Sequence, residues 1–198
     1  MKFRQVKKYI IDKLVKELDP SLTYHGVHHS LDVLESALRI AKFEKITDDE
    51  EIFLLSTAAL FHDVGFLKTY ENHEEVSCEF AREILPLYDY SLAQIDKISE
   101  LIMATMIPQS PKSHLGEILC DADLDYIGRD DFVPIGDTLF KELITFNKIQ
   151  SEEQWNNIQI SFIGKHKYFT SFSKKFRQPK KIENLEIIKE IVAGYDLS

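Results

Sequence analysis

The chain has 198 residues, 44% of them apolar, enough for one substantial core, and it carries a net charge of −9. That acidity excludes a protein whose main task is to coat a nucleic-acid backbone, because phosphate binding needs concentrated Lys and Arg. No window reaches the roughly 18 uninterrupted apolar residues of a membrane span. Two cysteines, Cys78 and Cys120, without a CxxC give neither a disulfide framework nor a thiolate zinc site. Reduced thiols in a cytoplasmic, single-domain protein are the expectation.

Phe3, Val6, Ile10, Leu14 and Leu18 recur at helical spacing and predict an amphipathic first helix ended by Asp19-Pro20. Lys2, Arg4, Lys7, Lys8, Asp12 and Lys13 interrupt it, so it does not read as a secretory leader. Thr23 is expected to cap a second helix with Leu31, Leu34, Ala37, Leu38 and Ala41 in one stripe and His25, His28 and His29 crowded into its first turns. Thr47-Asp48-Asp49-Glu50 reads as a capping box. The helix behind it turns Ile52, Leu55, Ala59 and Leu60 inward and ends on His62-Asp63, where Gly65 lets the chain turn.

His73 then opens a helix over 74–85, stopped by Pro86, and Ser91 to Gln94 is a second capping box leading into Ile95, Ile98, Leu101, Ile102 and Thr105. A loop framed by Pro108 and Pro111 holds Lys112 and His114. Leu115, Ile118, Leu119, Ala122 and Tyr126 mark a helix carrying Asp121, Asp123 and Asp125, and Phe132, Ile135, Leu139, Leu143 and Phe146 mark the next. Ser151 to Gln154 is a third capping box for a helix with Trp155, Ile158 and Phe162 that runs into Lys165-His166-Lys167-Tyr168. A last helix after Pro179 is expected to bury Ile182, Leu185, Ile188 and Val192. Period 3.6 dominates, with no strand alternation, repeat or low-complexity stretch, so the fold class is all-α.

An imidazole beside a carboxylate just after the apolar run Ala58-Ala59-Leu60-Phe61 asks for a cation, since a buried carboxylate is costly when unpaired. His29, His62-Asp63 and an Asp of the 115–126 helix would supply two imidazoles and two carboxylates, a set suited to Mn²⁺, Mg²⁺, Fe²⁺ or Zn²⁺ rather than to a thiolate-seeking metal. Helical periodicity puts Asp123 and Asp125 on opposite flanks of the apolar stripe and does not choose between them, while Asp121 points further toward solvent. Water completing such a site would lose its proton near neutral pH and attack a polarised phosphoryl group.

Tyr24-His25-Gly26-Val27-His28-His29-Ser30-Leu31-Asp32-Val33, Ala59-Leu60-Phe61-His62-Asp63-Val64-Gly65 and Cys120-Asp121-Ala122-Asp123-Leu124, in that order, resemble the HD superfamily of metal-dependent phosphohydrolases. The resemblance implies an all-α bundle with the metal-site core at about 20–130 and the helices of 131–198 packing on it. It implies His29, His62, Asp63 and Asp123 as metal ligands, Asp63 also serving catalysis, and His25 as general acid on the leaving oxygen, with Gly26 where Asn is usual. His28 reads as a surface residue. His73 stands where a second-metal or substrate contact could sit, while Thr105 occupies the position of a further expected His. Lys68, Lys112, Arg129, His166 and Arg177 are candidates for gripping an anionic substrate.

The function these features imply is hydrolysis of a phosphoester, mono or di, in a nucleotide or related small phosphorylated metabolite, with no membrane and no extended nucleic-acid surface involved. A nucleotide-sensing module without turnover, and a di-iron oxygenase on the same fold, are the alternatives.

Overall fold

A computed structural model describes residues 2–195, and among them every regular element is helical. The helices are α1 (Phe3–Glu17), α2 (Val27–Phe43), α3 (Asp49–Phe61), α4 (His73–Ile84), α5 (Leu92–Thr105), α6 (His114–Asp123), α7 (Phe132–Thr145), α8 (Glu152–Lys165), α9 (Ser171–Phe176) and α10 (Gln178–Tyr195). Single 3-10 turns follow α3, α4 and α6 at Val64–Leu67, Leu85–Tyr88 and Asp125–Gly128. The chain gathers into two compact units, one running through Asp123 and the other beginning at Leu124.

In the first unit α3 is the central element. Leu54, Leu55, Ser56, Thr57, Ala58, Ala59, Leu60 and Phe61 are all buried, and a helix apolar on every side belongs in the middle of a bundle. α1, α2 and α5 pack around it. Its two hydroxyls are satisfied within the helix, Ser56 Oγ donating to Ile52 O at 2.6 Å and Thr57 Oγ1 to Phe53 O at 2.9 Å. α6 lies against both α2 and α5, so little of its circumference is left for water. Asp121, expected to point toward solvent, is therefore fully buried.

Several boundaries differ from the sequence expectation for local reasons. Asp48, not Thr47, caps α3, its Oδ1 accepting from the amides of Glu50 and Glu51 at 2.9 Å each. Asx side chains are at least as good as Thr in that role. The capping box at Ser91 and Gln94 is complete. At Ser151 only half of one forms, because Gln154 Oε1 accepts from Gln150 rather than from the cap residue. α2 begins at Val27 behind Gly26, and Thr23 is exposed outside it. The segment expected as one helix over 115–126 breaks at Asp123, and Asp125 opens a separate turn.

The second unit holds α7 to α10 and the Asp125–Gly128 turn, with α10 against α8, α9 and that turn. Here the hydrophobic pattern misleads. α10 buries Lys181, Asn184 and Ile188, whereas Ile182, expected inside, is 50% exposed. The apolar stripe is rotated away because the buried face answers polar groups rather than a hydrocarbon core.

Candidate metal centre

Three helices of the first unit deliver the site. His29 lies in the first turn of α2, His62 is the C-terminal cap residue of α3 with Asp63 next to it, and Asp123 is the last residue of α6. The His62 amide donates to Ala58 O at 2.9 Å, so the α3 pattern continues through it. Its Nδ1 hydrogen goes to Ala59 O at 2.9 Å, which turns Nε2 toward His29, Asp63 and Asp123. Ser77 Oγ fastens the turn beyond, donating to His62 O at 2.7 Å and accepting from Gly65 N at 2.8 Å. Gly65 is required by close approach, since a Cβ there would sit 1.9 Å from His73 O; no glycine among the described residues has positive φ.

His29 Nε2 stands 3.4 Å from Asp63 Oδ2 and 3.1 Å from Asp123 Oδ1, and His62 Nε2 stands 3.1 and 3.4 Å from the same two atoms. The two Nε2 atoms are 3.4 Å apart. Donors held about 2.1 Å from one cation lie about 3.0 Å apart at right angles and about 3.4 Å apart at tetrahedral angles, so the spacing of the His29, His62 and Asp123 atoms fits a divalent ion, with Asp63 Oδ2 beside the two imidazoles. The fit has a second mark. Asp63 Oδ2 is buried and makes no hydrogen bond, a cost that a protein does not ordinarily carry without a ligand.

The charges agree. Burial works against a charged His62, yet the carboxylates of Asp63 and Asp123 outweigh it and hold this imidazole well above its ordinary pKa. Burial would raise Asp63, but His62 and then His73 hold it well below the usual carboxylate range. Asp123 is likewise lowered to about 2 against its burial, through its contacts with His29 and His62. Without a metal the carboxylates draw a proton onto His62; a dication answers the same demand with more charge.

The HD domain family model matches residues 26–125, half of the chain, spanning all four of these residues. The chain belongs to the HD domain family. A solved structure from an uncultured Thermotogales bacterium, described as a predicted HD superfamily hydrolase, is similar at 23% identity with a TM-score of 0.63, covering 98% of this chain and 93% of that one. At that identity the likeness speaks for the fold. A search of curated proteins returned no match. HD domains bind divalent metals, and in this HD chain His29, His62 and Asp123 form a group whose ligand atoms lie within 4.8 Å of one another.

The other candidates divide by location. His25 stands beside the centre, stacked on Phe66 at 4.2 Å with its ring 5.9 Å from that of His29. His73 stacks on Phe66 at 4.1 Å, and its Nε2 is 3.4 Å from both Asp63 Oδ1 and Glu74 Oε1. These carboxylates raise the His73 pKa in spite of burial. His28 is exposed, and Thr105 is buried with its hydroxyl on Ile102 O.

Lys68 lies over the Phe80 ring, 4.5 Å from its centroid. Lys112 lines a separate groove of about 720 Å³ with Glu75, Glu79, Asp96 and Glu100. Arg129, His166 and Arg177 belong to the second unit. There Arg129 pairs with Asp131 at 2.8 Å, Arg177 with Asp125 at 2.8 Å, and His166 lies against Lys181. Sequence reasoning missed Ser77 and Glu74, since a serine within a helix and a glutamate in its first turn carry no signal of what they touch.

Proposed function

We propose that this HD protein is a metal-dependent hydrolase of phosphoesters, acting on a nucleotide or a similarly small phosphorylated metabolite. The observation that carries the reading is the opposition of His29, His62, Asp63 and Asp123 at 3.1–3.4 Å with Asp63 Oδ2 left unanswered. These four residues would hold the ion. When bound, a divalent ion polarises a phosphoryl oxygen and lowers the pKa of water.

The chain's own residues supply the rest. His25 is the proton donor to the departing oxygen, its ring fixed by stacking on Phe66 and by the edge of Tyr24 at 4.7 Å. His73 braces Asp63 through the oxygen opposite the one that faces the imidazoles, so the carboxylate keeps its orientation. Tyr70, half-buried and edge-on to both Phe66 and His25, supports a substrate with a flat ring such as a nucleobase.

The test is hydrolysis of aryl phosphate mono- and diesters and of a nucleotide panel with Mn²⁺, Mg²⁺, Fe²⁺ or Zn²⁺, run beside Asp63→Asn. The expected result is metal-stimulated turnover in the parent and none in the variant. Equal rates in the two proteins would remove the proposal.

A further inference from the structure

The chain leaves α3 at a place that α3 itself does not dictate. His62 still follows the helical pattern, its amide donating to Ala58 O at 2.9 Å. Asp63 then stands at φ −108°, ψ 6°, in the sparsely occupied bridge between the helical and extended regions. A bond from Gly65 N to His62 O would close the turn around it, but a hydroxyl from α4 takes up both groups. Ser77 Oγ accepts from Gly65 N at 2.8 Å and donates to His62 O at 2.7 Å. A side chain inserted into the backbone ladder in this way is one of the few causes of a sharp break.

Ser77 is fully buried, and a serine within a helix commonly spends its hydrogen on the carbonyl four residues back. This one spends it on the carbonyl of a metal-ligand residue instead. His73, four residues earlier and so on the same face of α4, reaches Asp63 Oδ1 at 3.4 Å. Gly65 lies so close to α4 that a Cβ would meet His73 O at 1.9 Å. The backbone on both sides of Asp63 and one of its carboxylate oxygens are thus referred to one helix, while Oδ2 is left toward the imidazoles of His29 and His62.

We propose that Ser77 is a positioning residue for His62 and Asp63, its hydroxyl bridging the turn that carries them. The inference rests on the metal-centre reading above. A ligand atom must keep its place to within about 0.2 Å to serve a metal. Apolar contact has no direction, whereas a hydroxyl committed as donor and acceptor fixes two backbone groups at once. Without it the buried Gly65 amide and His62 carbonyl lose their partner, and the turn gains by closing them on each other, which moves Asp63.

The experiment is Mn²⁺ titration of the full chain, followed by the loss of the free-ion electron paramagnetic resonance signal, for the parent, Ser77→Ala, Ser77→Thr and Ile84→Ala. Ile84 is buried at the other end of α4 and touches neither group, so its truncation lowers the melting temperature through packing. Ser77→Ala is expected to weaken Mn²⁺ binding about tenfold. Ser77→Thr keeps the hydroxyl and should stay within about twofold of the parent, as should Ile84→Ala at temperatures where it is folded.

Ser77→Cys, whose thiol is a weaker donor and acceptor, carries the test should Ser77→Ala fail to fold, with an expected loss of about threefold. Folded Ala and Cys variants that bind as the parent does overturn this inference alone. So does a loss in Ile84→Ala or Ser77→Thr as large as that in Ser77→Ala. A parent that binds no Mn²⁺ overturns the metal centre and this inference with it.

Discussion

The cluster of the first unit and the network of the second are both buried groups of polar side chains, and they differ in whether their partners are protein. In the second, Asp125 is answered by Arg177, Asn184 by two carbonyls and Lys181 by a third, with His166 Nε2 and Ser173 Oγ its unanswered atoms among the described residues. In the first, two imidazoles and two carboxylates converge, the carboxylates holding His62 well above its ordinary pKa, and Asp63 Oδ2 is buried without a hydrogen bond. A network closed at its charged groups holds a shape, and one with a buried carboxylate oxygen left open is arranged about something the chain itself does not supply.

The contrast breaks most sharply at Asp63. Asp63→Asn keeps the shape and removes a charge from the open cluster, so Mn²⁺ affinity is expected to fall by more than about a hundredfold, beyond the usual loss at residues one step removed from a metal. Isothermal titration measures it. His25→Ala should leave Mn²⁺ affinity at the parental value and lower kcat by about 10²–10⁴-fold, as removal of a general acid does. Comparison with a substrate whose leaving group needs no proton should show a much smaller loss.

In the closed network the corresponding cut is structural. Asp125→Ala leaves Arg177 without its carboxylate and should lower unfolding stability by about 3 kcal/mol in denaturant titration. The smallest expected effect concerns His166, which burial and then Lys181 lower to a pKa of about 4. Its folded pKa lies below its unfolded value near 6.5, so its contribution is whole above that value and is lost as pH falls toward the folded pKa. Between pH 7.5 and 5.5 the parent should therefore lose about 1 kcal/mol more than His166→Asn. Equal slopes would contradict the assignment.

The same contrast explains what the sequence could tell. Helical period carried the fold class, and the ordered His, His-Asp and Asp motifs carried the residues that converge. Each sits at a helix end or first turn, where short motifs mark position well. What escaped depended on neighbours. Asp121 reads as outward on an isolated helix, yet α2 and α5 enclose α6 from both sides. The expected stripe of α10 held at Ile188 and failed at Ile182, because Lys181 and Asn184 turn inward to carbonyl acceptors, a demand no window of α10 itself records. The break after Asp123 was hidden by an apolar spacing that runs on through Leu124 and Tyr126.

The most direct measurement of the central claim is anomalous X-ray scattering from crystals of the protein grown with Mn²⁺. A single strong peak about 2.0–2.3 Å from His29 Nε2, His62 Nε2, Asp63 Oδ2 and Asp123 Oδ1 is the predicted result. Manganese bound elsewhere, or none held among these four atoms at saturating concentration, would contradict it.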